Sequence, residues 1–155
     1  MKVFTVTFFG HRMIDHPFEI EKRLEALLLK LIREKDYVEF LVGRDGEFDR
    51  LVASAVRRCK KKIGESNSAL VWVMPYETAE YRNNESSFRD YYDEIEVCNT
   101  SARGYFKEAH KKRNRNMIDR CDLAVFYVER EAGGAYQAMR YAKELGKRCV
   151  NLAVD

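Results

Sequence analysis

The chain has 155 residues, of which 46% are hydrophobic, and a formal net charge of +3. This length predicts one domain over residues 1–155 with its own core, and the composition excludes a disordered chain. The longest apolar runs, such as 70–75, are too short to cross a bilayer, and the N-terminus lacks the small-residue cleavage site of a signal peptide. We therefore predict a cytoplasmic protein without a membrane partner.

Strand-like and helix-like segments alternate along the chain. Segments rich in β-branched and aromatic residues predict strands at 3–9, 37–42, 69–74, 123–128 and 149–154. Apolar residues at helical spacing predict helices at 17–31, 48–59, 102–120 and 135–145. Residues 76–101 are polar and without clear periodicity, which predicts a long loop or lid. The alternation predicts an α/β fold, a Rossmann-like three-layer sandwich with a mostly parallel central sheet.

Three strand-to-helix junctions carry glycine, namely FFGHR at 8–12, VGRDGEFD at 42–49 and EAGGA at 131–135. Parallel strands end at the same edge of the sheet, so the three junctions should converge there. A helix N-terminus offers free N–H groups and a partial positive charge, and glycines let an anion approach the backbone. We therefore predict a phosphate on Gly133 and Gly134, with Gly43 and Gly46 admitting a ribose. Taken singly, each glycine is also explained by tight turn geometry.

Four polar side chains accompany these junctions. Arg12 follows the first strand and is expected to grip a phosphate through its guanidinium, whereas a hydrogen-bonded turn explains His11 equally well. Asp49 lies in the first turn of its helix, where it either interacts with the helix dipole or accepts hydrogen bonds from a ribose. Arg113 lies on an apolar helical stripe, so it must reach solvent, pair with an acid or face an anionic ligand.

The stretches FFGHR, VGRDGEFD, RNRNMID and AGGAYQAMRYAKELGK, in this order, resemble the SLOG superfamily. That group includes the lonely-guy nucleosidases and DNA-processing protein A, and the match is best to small bacterial and phage members with a G-H-R end to the first strand. The resemblance covers the chain except 76–101, and it implies a Rossmann-like fold and nucleotide-derived ligands. Arg113 matches the arginine of the nucleosidases' Arg-Lys pair, and Asn114 replaces the lysine. The predicted ligand-binding residues are Gly10, His11, Arg12, Gly43, Gly46, Asp49, Arg113, Asn114, Gly133 and Gly134.

The resemblance also bears on activity. Arg140 stands where the nucleosidase motif has a glutamate, and an arginine would disfavour the oxocarbenium-like state of glycosidic cleavage. Only Asp45, Glu47 or Asp49 could supply a carboxylate from a neighbouring loop. We therefore predict a module that binds or senses a nucleotide or nucleotide-derived phosphate, without catalytic residues, metal or cofactor. A phosphoribohydrolase acting on nucleoside monophosphates is the alternative.

Two further expectations concern partners. Basic runs at 57–62 and 111–115 raise a third hypothesis, nucleic-acid binding, but such runs are usually solvated surface, and these hold no aromatic stacking platform. We therefore expect nucleic acid not to be a partner. For a nucleotide ligand, a tyrosine from 76–92 is expected to stack on the base. A homodimer fits the resemblance, because many SLOG proteins self-associate.

Overall fold

A computed structural model describes residues 1–98 and 106–154. Their helices and strands, in chain order, are β1 (Val3–Gly10), α1 (Pro17–Glu34), β2 (Tyr37–Val42), α2 (Glu47–Ile63), β3 (Ser68–Met74), α3 (Ala79–Asn83), α4 (Glu85–Tyr91), β4 (Glu94–Val97), α5 (Phe106–Asp119), β5 (Leu123–Tyr127), α6 (Gly134–Glu144) and β6 (Arg148–Asn151). The predicted helix over 102–120 thus begins at Phe106 within this part of the chain. Its first four positions, and residues 99–101 of the predicted loop, lie outside the described residues.

The six strands form one sheet in the order β4-β3-β2-β1-β5-β6. Every neighbouring pair is parallel, from the pairing of β3 with β4 to that of β5 with β6. The predicted Rossmann-like α/β fold is therefore confirmed. The strand order reverses between β1 and β5, and ligands of open α/β sheets bind in the crevice beyond the carboxyl ends at such a point.

Hydrophobic cores lie on both faces of the sheet. On one face, Leu24 and Leu28 of α1 pack with Val52 and Val56 of α2. On the other face, α5 and α6 cover the sheet through Met117, Ile118, Ala138 and Ala142. The sheet is buried between these layers because side chains alternate along each strand, so that Phe8 and Phe9 enter opposite cores. This arrangement fixes the carboxyl ends of the strands at one rim.

Residues 76–98, part of the segment predicted to be a long loop or lid, are not an irregular loop, because they contain α3, α4 and the edge strand β4. Aromatic rings hold this region together: Tyr81, Phe88 and Tyr92 all contact Trp72 of β3, with ring centroids 4.9–5.9 Å apart. Each helix has only five or seven residues, too short for a helical periodicity to show in the sequence. Tertiary packing on Trp72 therefore stabilises a segment that its local pattern leaves irregular.

Among the described residues, no helix combines the length and apolar character needed to cross a bilayer.

Candidate functional site

A cleft of about 1060 Å³ opens at the carboxyl edge of the sheet. The end of β1, the loop after β2, α5, and the loop and helix after β5 form its walls. Nine of the ten predicted ligand-binding residues line this carboxyl-edge cleft, namely Gly10, His11, Arg12, Gly43, Asp49, Arg113, Asn114, Gly133 and Gly134. Gly46 is not among the lining residues. The junctions thus converge on one rim, as parallel strands require.

The cleft is strongly basic. Four separate segments contribute seven arginines and lysines to its lining: Arg12, Lys107, Lys111, Arg113, Arg115, Arg130 and Arg140. The acidic residues of the lining are Asp45, Asp49 and Glu144. A concave surface lined mainly by one sign of charge focuses the electrostatic potential, so the cleft attracts anions.

Several of these cations have no partner within the described part of the chain. Arg12, Arg130 and Arg140 are exposed, and their guanidinium groups make no hydrogen bond or ion pair there. Lys107 and Lys111 on α5 are likewise exposed. Arg115 lies over the Tyr141 ring, 4.8 Å from its centroid. Free guanidinium groups in a concave site are suited to binding phosphates through paired hydrogen bonds.

At the Gly133–Gly134 turn, one glycine allows an unusual backbone conformation and the other leaves space for a ligand. Gly133 has a φ of 92°, a conformation that L side chains rarely adopt, and it caps α6. A Cβ at Gly134 would meet no atom within 4 Å, so the space above the first turn of α6 is open to the cleft. Residues 134 and 135 therefore present their backbone N–H groups at the positive end of the helix.

The other junction glycines serve packing inside the protein. A Cβ at Gly10 would lie 2.3 Å from the Phe48 ring, and one at Gly46 would lie 2.5 Å from Cα of Arg12. Both glycines therefore allow α2 to approach β1 and its following loop. The role of Gly46 in admitting a ribose has no support in the geometry, because the residue lies outside the cleft lining.

Arg113 is almost fully buried, and its guanidinium pairs with the protein. Its Nη2 donates to the Asp45 carboxylate, its Nη1 to the Val73 carbonyl at 3.2 Å, and its Nε to Oδ1 of Asn114 at 2.9 Å. Of the three alternatives for this arginine, pairing with an acid is the one found. A Cβ at Gly43 would lie 3.1 Å from Nη1 of Arg113, so a larger residue there would require the guanidinium to shift by a few tenths of an ångström. Arg113 and Asn114 therefore shape the floor of the cleft.

Asp49 is buried at the edge of the same network. Its Oδ2 accepts a hydrogen bond from the backbone N–H of Asp45 at 2.8 Å, so it fixes the loop before α2. Burial, and then the neighbouring Asp45 carboxylate, raise the pKa of Asp49 to about 7. The third carboxylate considered for hydrolysis, Glu47, accepts from the Ile14 N–H and does not line the cleft.

Of the two roles predicted for His11, the structure shows the hydrogen-bonded turn residue. Its Nε2 accepts from the backbone N–H of Glu129 at 2.9 Å and lies 3.4 Å from that of Arg130. The ring is only 5% exposed, which leaves it little surface for a ligand. Burial, and then the charge of Arg130, lower the pKa of His11, while Glu129 acts in the opposite direction.

An aromatic patch lies at the start of α5, outside the basic runs that were expected to hold no stacking platform. The Tyr76 ring lies 5.5 Å from that of Phe106 and 5.8 Å from that of His110. Phe106 is 64% exposed, and both it and His110 line the cleft. Tyr81 and Tyr92 are buried on Trp72, and Tyr91 contacts Tyr92 and the Arg57 guanidinium. Tyr76, by contrast, contacts two residues of the cleft lining.

The basic run at 57–62 lies on α2, away from the cleft. Most of its members contact the protein: Arg57 lies over the Tyr91 ring, Lys60 pairs with Asp93, and Lys62 pairs with Glu25. Of the second run, Lys111, Arg113 and Arg115 do line the cleft. Basic residues distant in sequence, which no single run reveals, thus make the cleft an anion-attracting site.

No family model matches the chain, and no curated protein matches it by sequence. Solved structures do match. DNA processing protein A from Streptococcus pneumoniae aligns with a TM-score of 0.68 at 14% identity, over 94% of this chain and 49% of that one. The chain shares the Rossmann-like fold of this protein. The Helicobacter pylori DNA processing protein A aligns with a TM-score of 0.64 at 13% identity, over 94% of this chain and 63% of that one.

This comparison corrects one expectation. The Helicobacter pylori DNA processing protein A, whose fold the chain shares, binds single-stranded DNA. The expectation that nucleic acid is not a partner is therefore wrong. The expectation was based on basic runs along the sequence. The cations of the cleft, however, come from four segments that only the fold brings together.

Proposed function

We propose that the carboxyl-edge cleft binds single-stranded nucleic acid through its phosphates. The observation that carries this proposal is the set of exposed, unpaired arginines, Arg12, Arg130 and Arg140, around one concave site in the described chain. The cleft, at about 1060 Å³, lies at the upper end of the roughly 300–1,000 Å³ of pockets for drug-sized ligands. The distribution of its cations over four segments, and not its volume, favours a ligand with several phosphates.

The aromatic patch favours nucleic acid over other polyanions. Proteins that bind single strands combine a basic groove with aromatic side chains on which unpaired bases stack. Phe106, with Tyr76 and His110 behind it, provides such a surface next to Lys107. The single-stranded DNA binding of the Helicobacter pylori protein of the same fold points the same way.

A mononucleotide or another nucleotide-derived phosphate is the second candidate ligand. The open Gly133–Gly134 turn at the start of α6 is the observation that favours it, because one phosphate fits the free N–H groups of a helix terminus. Within the SLOG group, we place the chain with the small G-H-R members on its FFGHR stretch. Both ligands would use the same turn, and they differ in how far along the cleft they extend.

Binding of a fluorescent oligothymidylate of about 16 nucleotides, followed by anisotropy, tests the main proposal. We expect Gly134→Leu to weaken binding at least tenfold without lowering the melting temperature, since the new side chain fills the anion site while the backbone accepts it. Arg130→Ala should weaken binding similarly. Lys61→Ala, an exposed cation of α2 outside the cleft, is the matched control and should change nothing.

The chain length of the ligand separates the two candidates. If a single strand is the ligand, the oligothymidylate binds far more tightly than thymidine monophosphate and resists competition by it. Equal affinity for the two would favour the mononucleotide. If the wild type, Gly134→Leu and Arg130→Ala bind the oligonucleotide with equal affinity, the cleft is not the binding site.

A further inference from the structure

The β5–α6 loop, residues 128–133, carries both a cation and the glycine cap of the cleft. Its first residue is fixed by Asn151, which accepts from the Val128 N–H at 3.0 Å and donates to the Val128 carbonyl at 2.9 Å. The next two residues meet the His11 ring, with Nε2 2.9 Å from the Glu129 nitrogen and 3.4 Å from the Arg130 nitrogen. His11 thus bridges the ends of β1 and β5 across the switch point of the sheet.

These contacts define the protonation state of the ring. Nε2 can accept a hydrogen bond only from its lone pair, so the imidazole must be neutral with its proton on Nδ1. Protonation of Nε2 would replace an acceptor by a donor and set it against two N–H groups. Both hydrogen bonds would then be lost together, and the loop would be held by the Val128–Asn151 pair and by the Glu129 carboxylate, which accepts from the Tyr127 hydroxyl.

We propose that His11 is a positioning residue, which holds the backbone of Glu129 and Arg130 so that Arg130 and the Gly133–Gly134 turn face the anion together. This inference rests on the proposed anion binding in the cleft. His11 has no need to touch the ligand. Its neutral form sets the anion site, and its protonation releases the loop, so that anion affinity falls in acid.

Charged groups around the ring oppose each other. Arg130 of the loop disfavours the imidazolium, Glu129 favours it, and burial disfavours it most, so the pKa of His11 lies below its ordinary value of 6.5. Tyr127 of β5 lies edge-on to the ring, with centroids 6.1 Å apart, and its hydroxyl donates to Glu129 instead. The release should therefore occur at a lower pH than for an exposed histidine.

Two variants separate positioning from simple packing. His11→Gln places an amide oxygen within reach of the same N–H groups and cannot titrate, whereas His11→Ala removes the acceptor. We expect the affinity of the wild type for the oligothymidylate, relative to that of His11→Gln, to fall about tenfold between about pH 8 and pH 5, as two backbone hydrogen bonds are lost. The other titratable groups of the cleft, Asp49 and His110 among them, are present in both proteins and cancel in this ratio. His11→Gln should keep near wild-type affinity with a flatter pH profile, and His11→Ala should be about tenfold weaker throughout. His16→Gln, which removes an exposed histidine outside the cleft, should titrate as wild type.

A readout without ligand keeps this test independent of the proposed function. Nitrogen-15 NMR of the free protein should show His11 as the Nδ1–H tautomer, and amide exchange of Glu129 and Arg130 should be faster in His11→Ala than in His11→Gln. A proton on Nε2 at neutral pH, or equal exchange in the two variants, would overturn the inference even if the cleft binds DNA. Tighter binding of the wild type in acid, absent in His11→Gln, would also overturn it, because the imidazolium would then attract the anion directly.

Discussion

Two carboxyl groups lie close together in the floor of the cleft. Asp45 is exposed and pairs with the buried Arg113, whereas Asp49 is itself buried and accepts a hydrogen bond from the Asp45 N–H. Burial favours the neutral form of Asp49, and the negative charge of Asp45 beside it acts in the same direction. This is the physical reason why the pKa of Asp49 rises from 3.8 to about 7.

Asp49→Asn should therefore change how stability depends on pH. Between about pH 4 and pH 7 the folded wild type holds a proton on Asp49 that the unfolded chain has released, so wild-type stability falls as pH rises. The variant has no such group, and its free energy of unfolding should gain on the wild type by up to roughly 4 kcal/mol across this range. Denaturant unfolding at several pH values measures the difference. A difference independent of pH would contradict the raised pKa, and Glu47→Gln on the same helical turn controls for the loss of a nearby carboxylate.

Helices α3 and α4 depend on the aromatic rings beneath them. Phe88 of α4 is partly buried with its ring centroid 4.9 Å from that of Trp72. Phe88→Ala should lower the free energy of unfolding by about 2 kcal/mol, less than the ~3–5 kcal/mol of a fully buried phenylalanine. Limited proteolysis should cut the variant faster within 76–98. Phe106→Ala is the control for stability, because that ring is mostly exposed; equal losses in the two variants would contradict the anchoring role of Trp72.

The elements that could be predicted from the sequence are those with a long local pattern, and the elements that could not are held by contacts between distant residues. The strand over 37–42 and the helix over 48–59 are long and periodic, and each appears in the structure within a few residues of its predicted limits. The strand β4 was not predicted because EIEV has only four residues, too few for an alternating pattern to be distinctive, and because it lies at the sheet edge and pairs with β3 alone. Its position depends on Asp93, whose carboxylate accepts from the Leu70 N–H at 2.7 Å and from Lys60. Such contacts between distant residues leave no local pattern.

At the scale of the whole molecule, the position of the cleft was predictable and its charge was not. Glycines at strand ends marked the rim, because a parallel sheet brings those ends together whatever the details of packing. The seven basic residues of the lining lie between positions 12 and 140, and only the fold selects them from the 28 in the chain. The same limit applies to Arg113, since no spacing rule identifies Asp45 as its partner.

From this distribution of charge we predict how the affinity for a single strand depends on salt concentration. For single strands, the logarithm of the binding constant falls with the logarithm of salt concentration with a slope of about −0.7 per neutralised phosphate. Arg140→Ala, which removes one exposed cation of the cleft, should make the slope shallower by about 0.7, because one fewer phosphate is neutralised. Lys61→Ala removes the same charge from α2, and its slope should equal that of the wild type, since counterion release is confined to cations that contact the strand. Equal changes in the two variants would show that the net charge of +3, and not the cleft, attracts the nucleic acid.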